Sequence, residues 1–216
     1  MAKHYFIESL HYAGMGDICL PILIEILQNN PAWVNQFSPN GANPILISVE
    51  SGHLKTTEYI LNNLELAPVI NEKLLISCLL IENQDCQHEM FKILLEFPFV
   101  KKDIIFPDGT CLFNKLIIGS SKNISLIQKH NIICTKESLY GKNVLFDLID
   151  CFTIDKTQNI EYLLSHYSLN ELLDISYQGK NLIDYIYLSS LEDTSRQHIL
   201  DIINAHAQKI QEDPLI

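Results

Sequence analysis

One phrase recurs three times along the chain, first as Gly41-Ala42-Asn43-Pro44-Ile45-Leu46-Ile47-Ser48-Val49. It returns as Gly141-Lys142-Asn143-Val144-Leu145-Phe146-Asp147-Leu148-Ile149 and as Gly179-Lys180-Asn181-Leu182-Ile183-Asp184-Tyr185-Ile186-Tyr187. Each copy reads Gly-x-Asn and continues into an apolar helical start. The first two glycines lie 100 residues apart, close to three units of about 33, and the second and third lie 38 apart. Such spacing is typical of a repeat architecture.

The copy that begins at Gly41 indicates what the phrase does locally. Asn43 favours a turn and can cap the helix that follows, and Pro44 suits a first helical turn, where its missing N–H costs nothing. Ser51-Gly52-His53 then interrupts the chain. Apolar residues between Leu54 and Leu64 return at i, i+3 and i+4 spacings, which is typical of an amphipathic helix. The sequence therefore predicts a helix, a turn and a second helix.

Five further segments follow the same plan less regularly. Those at Gly141 and Gly179 keep the glycine and the asparagine, and the one at Gly109 keeps the glycine. The other two contain Leu74-Leu75-Ile76-Ser77-Cys78, which echoes 45–49, and Gly16-Asp17-Ile18, which parallels 52–54. No linker rich in proline, glycine or serine separates them. We therefore expect about six helix pairs in one array over 1–210, followed by an acidic, frayed tail over 211–216.

The Gly41 unit resembles the ankyrin repeat, a helix-turn-helix unit of about 33 residues. Residues 41–45 stand for the family's Gly-x-Thr-Pro-Leu phrase, 51–54 for its inter-helix turn and 60–63 for the end of its second helix. The other glycine units match in period, glycine and apolar pattern but lack the family's proline and histidine. The resemblance implies an all-α fold, an α-solenoid of about six ankyrin-like repeats with degenerate hairpin turns. A HEAT- or TPR-like stack is the alternative.

Composition narrows the class of partner. With 47% hydrophobic and 19% charged residues among 216, the chain has enough apolar surface for a packed core. Its formal net charge of −11 would repel phosphate backbones and anionic membrane surfaces, so we expect neither nucleic acid nor membrane insertion. The same charge favours a protein partner with a basic patch.

Cysteine usage and the N-terminus point to a reducing compartment. The six cysteines form no CxxC pair and are too sparse for a disulfide framework, so we expect free thiols and a cytoplasmic location. No long apolar run follows Lys3, and the longest such stretch, 74–81, is too short to span a bilayer. We therefore expect a soluble protein, and delivery into a host cell would proceed without an N-terminal signal peptide.

Motifs that carry chemistry are weak in this chain. It contains no glycine-rich phosphate loop, HExxH, GxSxG or kinase-like phrase. The run Cys86-Gln87-His88-Glu89 lies in a predicted loop and matches no zinc spacing. Asp147, Asp150 and Asp155 are interpreted as a loose acidic group on a solvated helix edge. We predict no catalytic residue, no cofactor and no metal site.

The function that the resemblance implies is protein binding through a concave groove formed by hairpin turns and first helices. In this sequence the predicted contact residues are Pro39, Asn40, Ala42, Glu50, Ser51, Tyr140, Lys142, Asp150, Cys151, Tyr177, Gln178, Lys180, Leu188 and Ser189. One alternative is a host-directed bacterial effector or regulator that inhibits or adapts one enzyme. Another is an enzyme with a cryptic site in a divergent repeat scaffold. Partner identity and oligomeric state are left open.

Overall fold

The fold is known from a computed structural model, which describes residues 9–63 and 72–212. The chain divides after Lys102 into two compact units. Helices dominate both units, so the all-α prediction is confirmed. The single array expected over 1–210 stays a prediction.

The first unit is built from helices joined by short turns. Residues 9–14 are helical, and single 3₁₀ turns lie at Asp17–Cys19 and Pro31–Asn35. The α-helices that follow are α1 (Leu20–Asn29), α2 (Pro44–Glu50), α3 (Leu54–Asn62), α4 (Glu72–Cys78) and α5 (Gln84–Leu95). In this unit α2 packs on α3 and α4, and α3 packs on α5.

The second unit repeats this plan. Its helices are α6 (Leu112–Ile118), α7 (Asn123–Lys129), α8 (Val144–Asp150), α9 (Thr157–Leu164), α10 (Leu169–Asp174), α11 (Leu182–Leu188) and α12 (Asp193–Glu212). A 3₁₀ turn at Ile154–Lys156 precedes α9. Two short antiparallel strands, β1 (Ser176–Tyr177) and β2 (Lys180–Asn181), precede α11. Of the tail predicted over 211–216, Gln211 and Glu212 end α12, and 213–216 lie outside the described residues.

Helices of the second unit pack pair on pair. The first helices of successive pairs contact one another, because α6 packs on α8 and α8 packs on α11. Their second helices pack on them, with α7 on α6, α9 on both α6 and α8, and α12 on both α9 and α11. Each pair therefore buries its apolar faces against its neighbours, as repeat units do.

The loop predicted around Cys86 is instead helical. Asn83 caps α5 by accepting a hydrogen bond from the Cys86 N–H at 2.9 Å, so the helix begins at Gln84. Gln87 is buried in this first stretch of the helix, and its amide donates to the Leu79 and Ile81 carbonyls. These bonds hold a polar-looking segment in helical form, which its composition did not indicate.

Three of the glycine turns have one geometry. Gly41, Gly109 and Gly141 adopt φ values of +81°, +76° and +75°, which L side chains rarely adopt. Each glycine N–H donates at 2.9 Å to the carbonyl of the residue three positions earlier. The three acceptors are Ser38, Phe106 and Ser138 respectively. Those three residues in turn donate to the carbonyls of Ala42, Thr110 and Lys142. This is the three-residue hairpin of a type I turn followed by a left-handed glycine.

The match between the Gly41 and Gly141 copies extends beyond the turn. From 37 to 50 and from 137 to 150, buried, half-buried and exposed residues follow one another in the same order. The two copies therefore present equivalent positions to their surroundings, residue by residue.

The Gly179 turn differs although its phrase is the same. Gln178 and Gly179 both have positive φ, at +53° and +74°, and Tyr177 pairs directly with Lys180. Two central residues with positive φ make a two-residue type I′ hairpin, which matches the twist of its strands. The phrase therefore does not by itself determine the type of turn.

The asparagine of each phrase anchors its helix. Asn43, Asn143 and Asn181 accept a hydrogen bond from a backbone N–H in the first turn of α2, α8 and α11, at 3.0, 3.0 and 2.8 Å. The first two are buried, although asparagine is usually exposed. Asn43 also donates to the Gln36 carbonyl at 3.0 Å, and Asn143 accepts from the Tyr167 hydroxyl at 2.8 Å. The caps at Asn43 and Asn143 thus also tie their hairpins to neighbouring chain.

We expect Asn143→Ala to lower the free energy of unfolding by about 2 kcal/mol. About 1 kcal/mol comes from the lost helix cap and about 1 from leaving the buried Tyr167 hydroxyl without its acceptor. Urea denaturation measures the loss, and Asn204→Ala on the exposed side of α12 is the matched control, with a change within about 0.5 kcal/mol.

A double-mutant cycle separates the two contributions. Tyr167→Phe should cost less in the Asn143→Ala background than in the wild-type chain, because the hydrogen bond between the two side chains is already absent. Strictly additive changes would contradict the coupling.

Candidate functional site

Three predicted contact residues of the second unit come together in one cluster. The Lys142 ammonium lies 2.5 Å from Asp147 Oδ1 and 3.1 Å from Asp150 Oδ2. It also lies over the ring of Tyr177, 5.2 Å from the centroid. The Tyr185 hydroxyl donates to Asp150, 2.8 Å from each carboxylate oxygen. These five residues are called the Lys142 cluster below.

Four elements position these side chains. Lys142 directly precedes the capping Asn143, so the hairpin holds its backbone. Asp147 and Asp150 are three residues apart on α8 and therefore share a face of that helix. Tyr177 is the last residue of β1, and Tyr185 lies on α11.

Aromatic packing supports the cluster from beneath. Phe146 on α8 is fully buried, and its ring meets Tyr185 edge-on with centroids 4.6 Å apart. The Phe146 centroid lies 5.6 Å from that of Tyr177. Such contacts fix the two tyrosine rings and leave their polar ends at the surface.

The charges of the cluster hold Lys142 in its protonated form. Burial alone would lower the pKa of Lys142, but the hydrogen bonds and charges of Asp147 and Asp150 outweigh it and raise that pKa above its ordinary value. An amine with a raised pKa is a poor base and nucleophile at neutral pH. One ammonium against two carboxylates leaves the cluster with a net charge of −1, and the Asp150 side chain is 45% exposed.

Burial and the hydrogen bond to Asp150 together raise the pKa of Tyr185 to about 12. The hydroxyl donates to a carboxylate, so its ionisation would place two negative charges side by side. The cluster is therefore a fixed arrangement of charge and aromatic surface, suited to recognition.

The other predicted residues of the second unit are exposed or half-buried. Tyr140, Gln178 and Leu188 are exposed, and Lys180 is half-buried. Tyr140 is 74% exposed, yet one side of its ring packs on the Gly109 turn, where an added Cβ would lie 2.5 Å from Tyr140 Cε2. The side chains of two others turn back to their own helices, since Cys151 donates to the Leu148 carbonyl and Ser189 to the Ile186 carbonyl.

In the first unit the predicted residues do not form such a cluster. Pro39, Asn40, Glu50 and Ser51 are exposed and Ala42 is half-buried. Ala42 stands where the Gly141 copy has Lys142, so this turn carries no ammonium. Glu50 accepts a hydrogen bond from Ser77 on α4 at 2.9 Å, much as Asp150 accepts one from Tyr185 on α11.

Sequence reasoning missed two members of the cluster. Asp150 and Asp155 are exposed, as expected for a solvated helix edge and loop, but the interpretation did not include Lys142, which binds both Asp147 and Asp150. Their i, i+3 spacing with a lysine just before the helix was an available signal. Tyr185 was missed because its bond to Asp150 depends on how α11 packs on α8.

Within 9–63 and 72–212, no group of three or more histidine, cysteine or acidic side chains could hold a metal ion. None of the helices described there is both long and apolar enough to cross a bilayer. The six cysteines are free, and burial raises the pKa of the Cys78 thiol well above its ordinary value.

A cleft of about 1050 Å³ lies between α9, α10 and α12. Leu164, Ile202 and Ile210 contribute to its apolar lining, and His166 and His198 contribute to its polar lining. Hydrogen bonds within the unit already engage both histidines, His166 with the Tyr162 carbonyl and His198 with the Thr157 hydroxyl. The Ser165 hydroxyl, which also lines the cleft, lies 3.3 Å from His166 Nδ1 and donates to the Tyr162 carbonyl at 2.6 Å.

No family model matches the chain, and neither the curated proteins nor the solved structures include a match. The case for a function therefore rests on the residues of the chain itself.

We expect Asp150→Asn to lower the pKa of Tyr185 towards the ordinary phenol value of about 10, because the carboxylate charge is removed. The phenolate absorbance of wild type minus that of Tyr185→Phe, followed against pH, isolates this one group. In the wild type the raised pKa stabilises the fold fully below about pH 10, and this contribution is lost as pH rises towards 12. A wild-type difference titration centred near 10 would contradict the cluster geometry.

Proposed function

We propose that this protein is a protein-binding module built as an ankyrin-like α-solenoid. A partner would meet the side formed by hairpin turns and first helices. Support for the repeat scaffold comes from three turns of one geometry, capped first helices and the packing of successive helix pairs within each unit. A regular stack of this kind offers an extended, open surface, which suits binding of a macromolecule.

The Lys142 cluster is the observation that carries this proposal. Lys142 belongs to one hairpin and Tyr177 to the next, and the Lys142 ammonium contacts both the Tyr177 ring and the Asp150 carboxylate of α8. Contact residues predicted from separate repeats would thus meet a partner as one surface. Tyr140 lies on the same hairpin as Lys142 and adds a largely exposed aromatic side chain.

Charge and aromatic content suggest the chemistry of the partner. The cluster carries a net negative charge and an exposed carboxylate, within a chain whose formal net charge is −11. Arginine and lysine pair with carboxylates and also lie favourably over tyrosine rings. We therefore expect a basic patch on the partner, with tyrosines as the anchors that contribute most of the binding energy.

The surface is prepared before binding. Lys142 is held by two carboxylates and an aromatic ring, and the flanking helix is capped by a buried asparagine. Side chains that are already ordered lose less entropy on association. Recognition would then proceed with little backbone change.

We expect Tyr140→Ala combined with Tyr177→Ala to reduce capture of the partner at least tenfold, because two anchors are lost. Immobilised wild-type and variant chains are exposed to the same cell lysate, and retained proteins are quantified by mass spectrometry. The matched control is Gln128→Ala with Asn204→Ala, two exposed residues on the second helices α7 and α12, which should retain the partner fully.

Circular dichroism must show that both variants remain helical. Equal retention by the tyrosine variant and the control would overturn the assignment of this surface. Binding should also weaken as salt is raised, because exposed charges are screened over a shorter distance.

A further inference from the structure

Four first helices can be compared position by position. The helices α2, α6, α8 and α11 each contain seven residues and begin directly after the residue that caps them. Their second and sixth residues are apolar in every case. These pairs are Ile45 and Val49, Phe113 and Ile117, Leu145 and Ile149, and Ile183 and Tyr187.

Burial at these two positions separates α11 from the other three helices. In α2, α6 and α8 the second and sixth residues are at most 1% exposed. In α11, Ile183 is 40% exposed and Tyr187 is 60% exposed. The first and fifth residues of α11, Leu182 and Ile186, are buried as their counterparts are. The difference is therefore confined to one face of the helix.

The missing neighbour explains this difference. Each of the other three helices is covered by the next first helix, α2 by α4, α6 by α8 and α8 by α11. Along the part of the second unit that the structure describes, no first helix follows α11. Its open face, Ile183, Asp184 and Tyr187, is called the end face here. The end face has the apolar residues at which the other first helices pack on a neighbour, but no following first helix lies against it in the described part of the unit.

We propose that the end face binds an amphipathic helix of a different protein, with an apolar strip flanked by lysine or arginine. A helix is the appropriate element because α2, α6 and α8 each pack on a following first helix and have both positions buried. An apolar strip is needed because Ile183 and Tyr187 would otherwise remain partly in water.

Basic flanks follow from the charges around the end face. Asp184 lies between the two apolar residues and is exposed, and Glu192, just beyond α11, is also exposed. A second copy of this chain would bring another formal charge of −11 to an already acidic edge, and like charges oppose association. A basic helix gains from the same field, so the charge favours a foreign partner.

This surface is distinct from the Lys142 cluster. The cluster uses Tyr185, the fourth residue of α11, whereas the end face uses the second, third and sixth residues. Variants can therefore disturb one surface and leave the other intact, and the two proposals can fail separately.

The test uses the full chain and a defined probe. The probe is a synthetic amphipathic peptide of about 18 residues, with leucines at i, i+3, i+4 and i+7 spacings and lysines elsewhere. Its binding is measured by isothermal titration calorimetry at near-physiological salt. Ile183→Asp combined with Tyr187→Asp alters the end face, and Ile133→Asp is the matched control, because Ile133 is an 82% exposed apolar residue elsewhere in the same unit.

We expect the leucine–lysine peptide to bind the wild type and the Ile133→Asp control equally, and to bind the end-face variant at least tenfold more weakly. A leucine–glutamate peptide of the same pattern should not bind. Absence of binding to the wild type would overturn the proposal, and so would equal binding by all three chains. Sedimentation velocity tests whether a second copy of the chain binds this face instead. If the wild type self-associates and the end-face variant does not, the face belongs to a second copy and the proposal is overturned.

Discussion

A buried asparagine at the corner between hairpin and helix is the constraint on which the rest of this structure depends. Asn43 and Asn143 each sit in an interior where an unpaired amide would be costly. In both residues the amide oxygen caps the helix; the Asn43 amide nitrogen also donates to the Gln36 carbonyl, and the Asn143 oxygen also accepts from the Tyr167 hydroxyl. The hairpin cannot shift relative to its helix without breaking these bonds. The start of the first helix is therefore fixed, and with it the positions of the residues along that helix.

The positions of the Lys142 cluster side chains in the second unit depend on this fixed corner. Lys142 is adjacent to the capping asparagine, so its ammonium reaches Asp147 and Asp150 on the helix that the same asparagine begins. The next hairpin brings Tyr177 against that ammonium, and the next first helix brings Tyr185 against Asp150. Two successive hairpins and the helices that follow them thus bring residues that are far apart in the sequence into one polar and aromatic surface.

Much of the helical plan could be predicted because glycine, asparagine and apolar spacing are local signals. The hairpins at Gly41 and Gly141 and the helices after them follow directly from such signals. Local signals were also overlooked, since Ser168 and Glu171 form the capping box of α10 in a segment that was not expected to start a helix. What the sequence could not indicate depends on neighbours. The bond from Tyr185 to Asp150 and the exposure of Ile183 both arise from which helix lies beside α11.

The equal pattern of burial over 37–50 and 137–150 has a consequence for how such a chain changes over time. Ala42 and Lys142 occupy equivalent positions in two hairpins of the same geometry, and only Lys142 carries a charge. A substitution at either position changes the exposed chemistry of the hairpin, while the preceding glycine and the buried asparagine after it maintain the backbone geometry. A single substitution at this position therefore changes one surface side chain and leaves the hairpin intact.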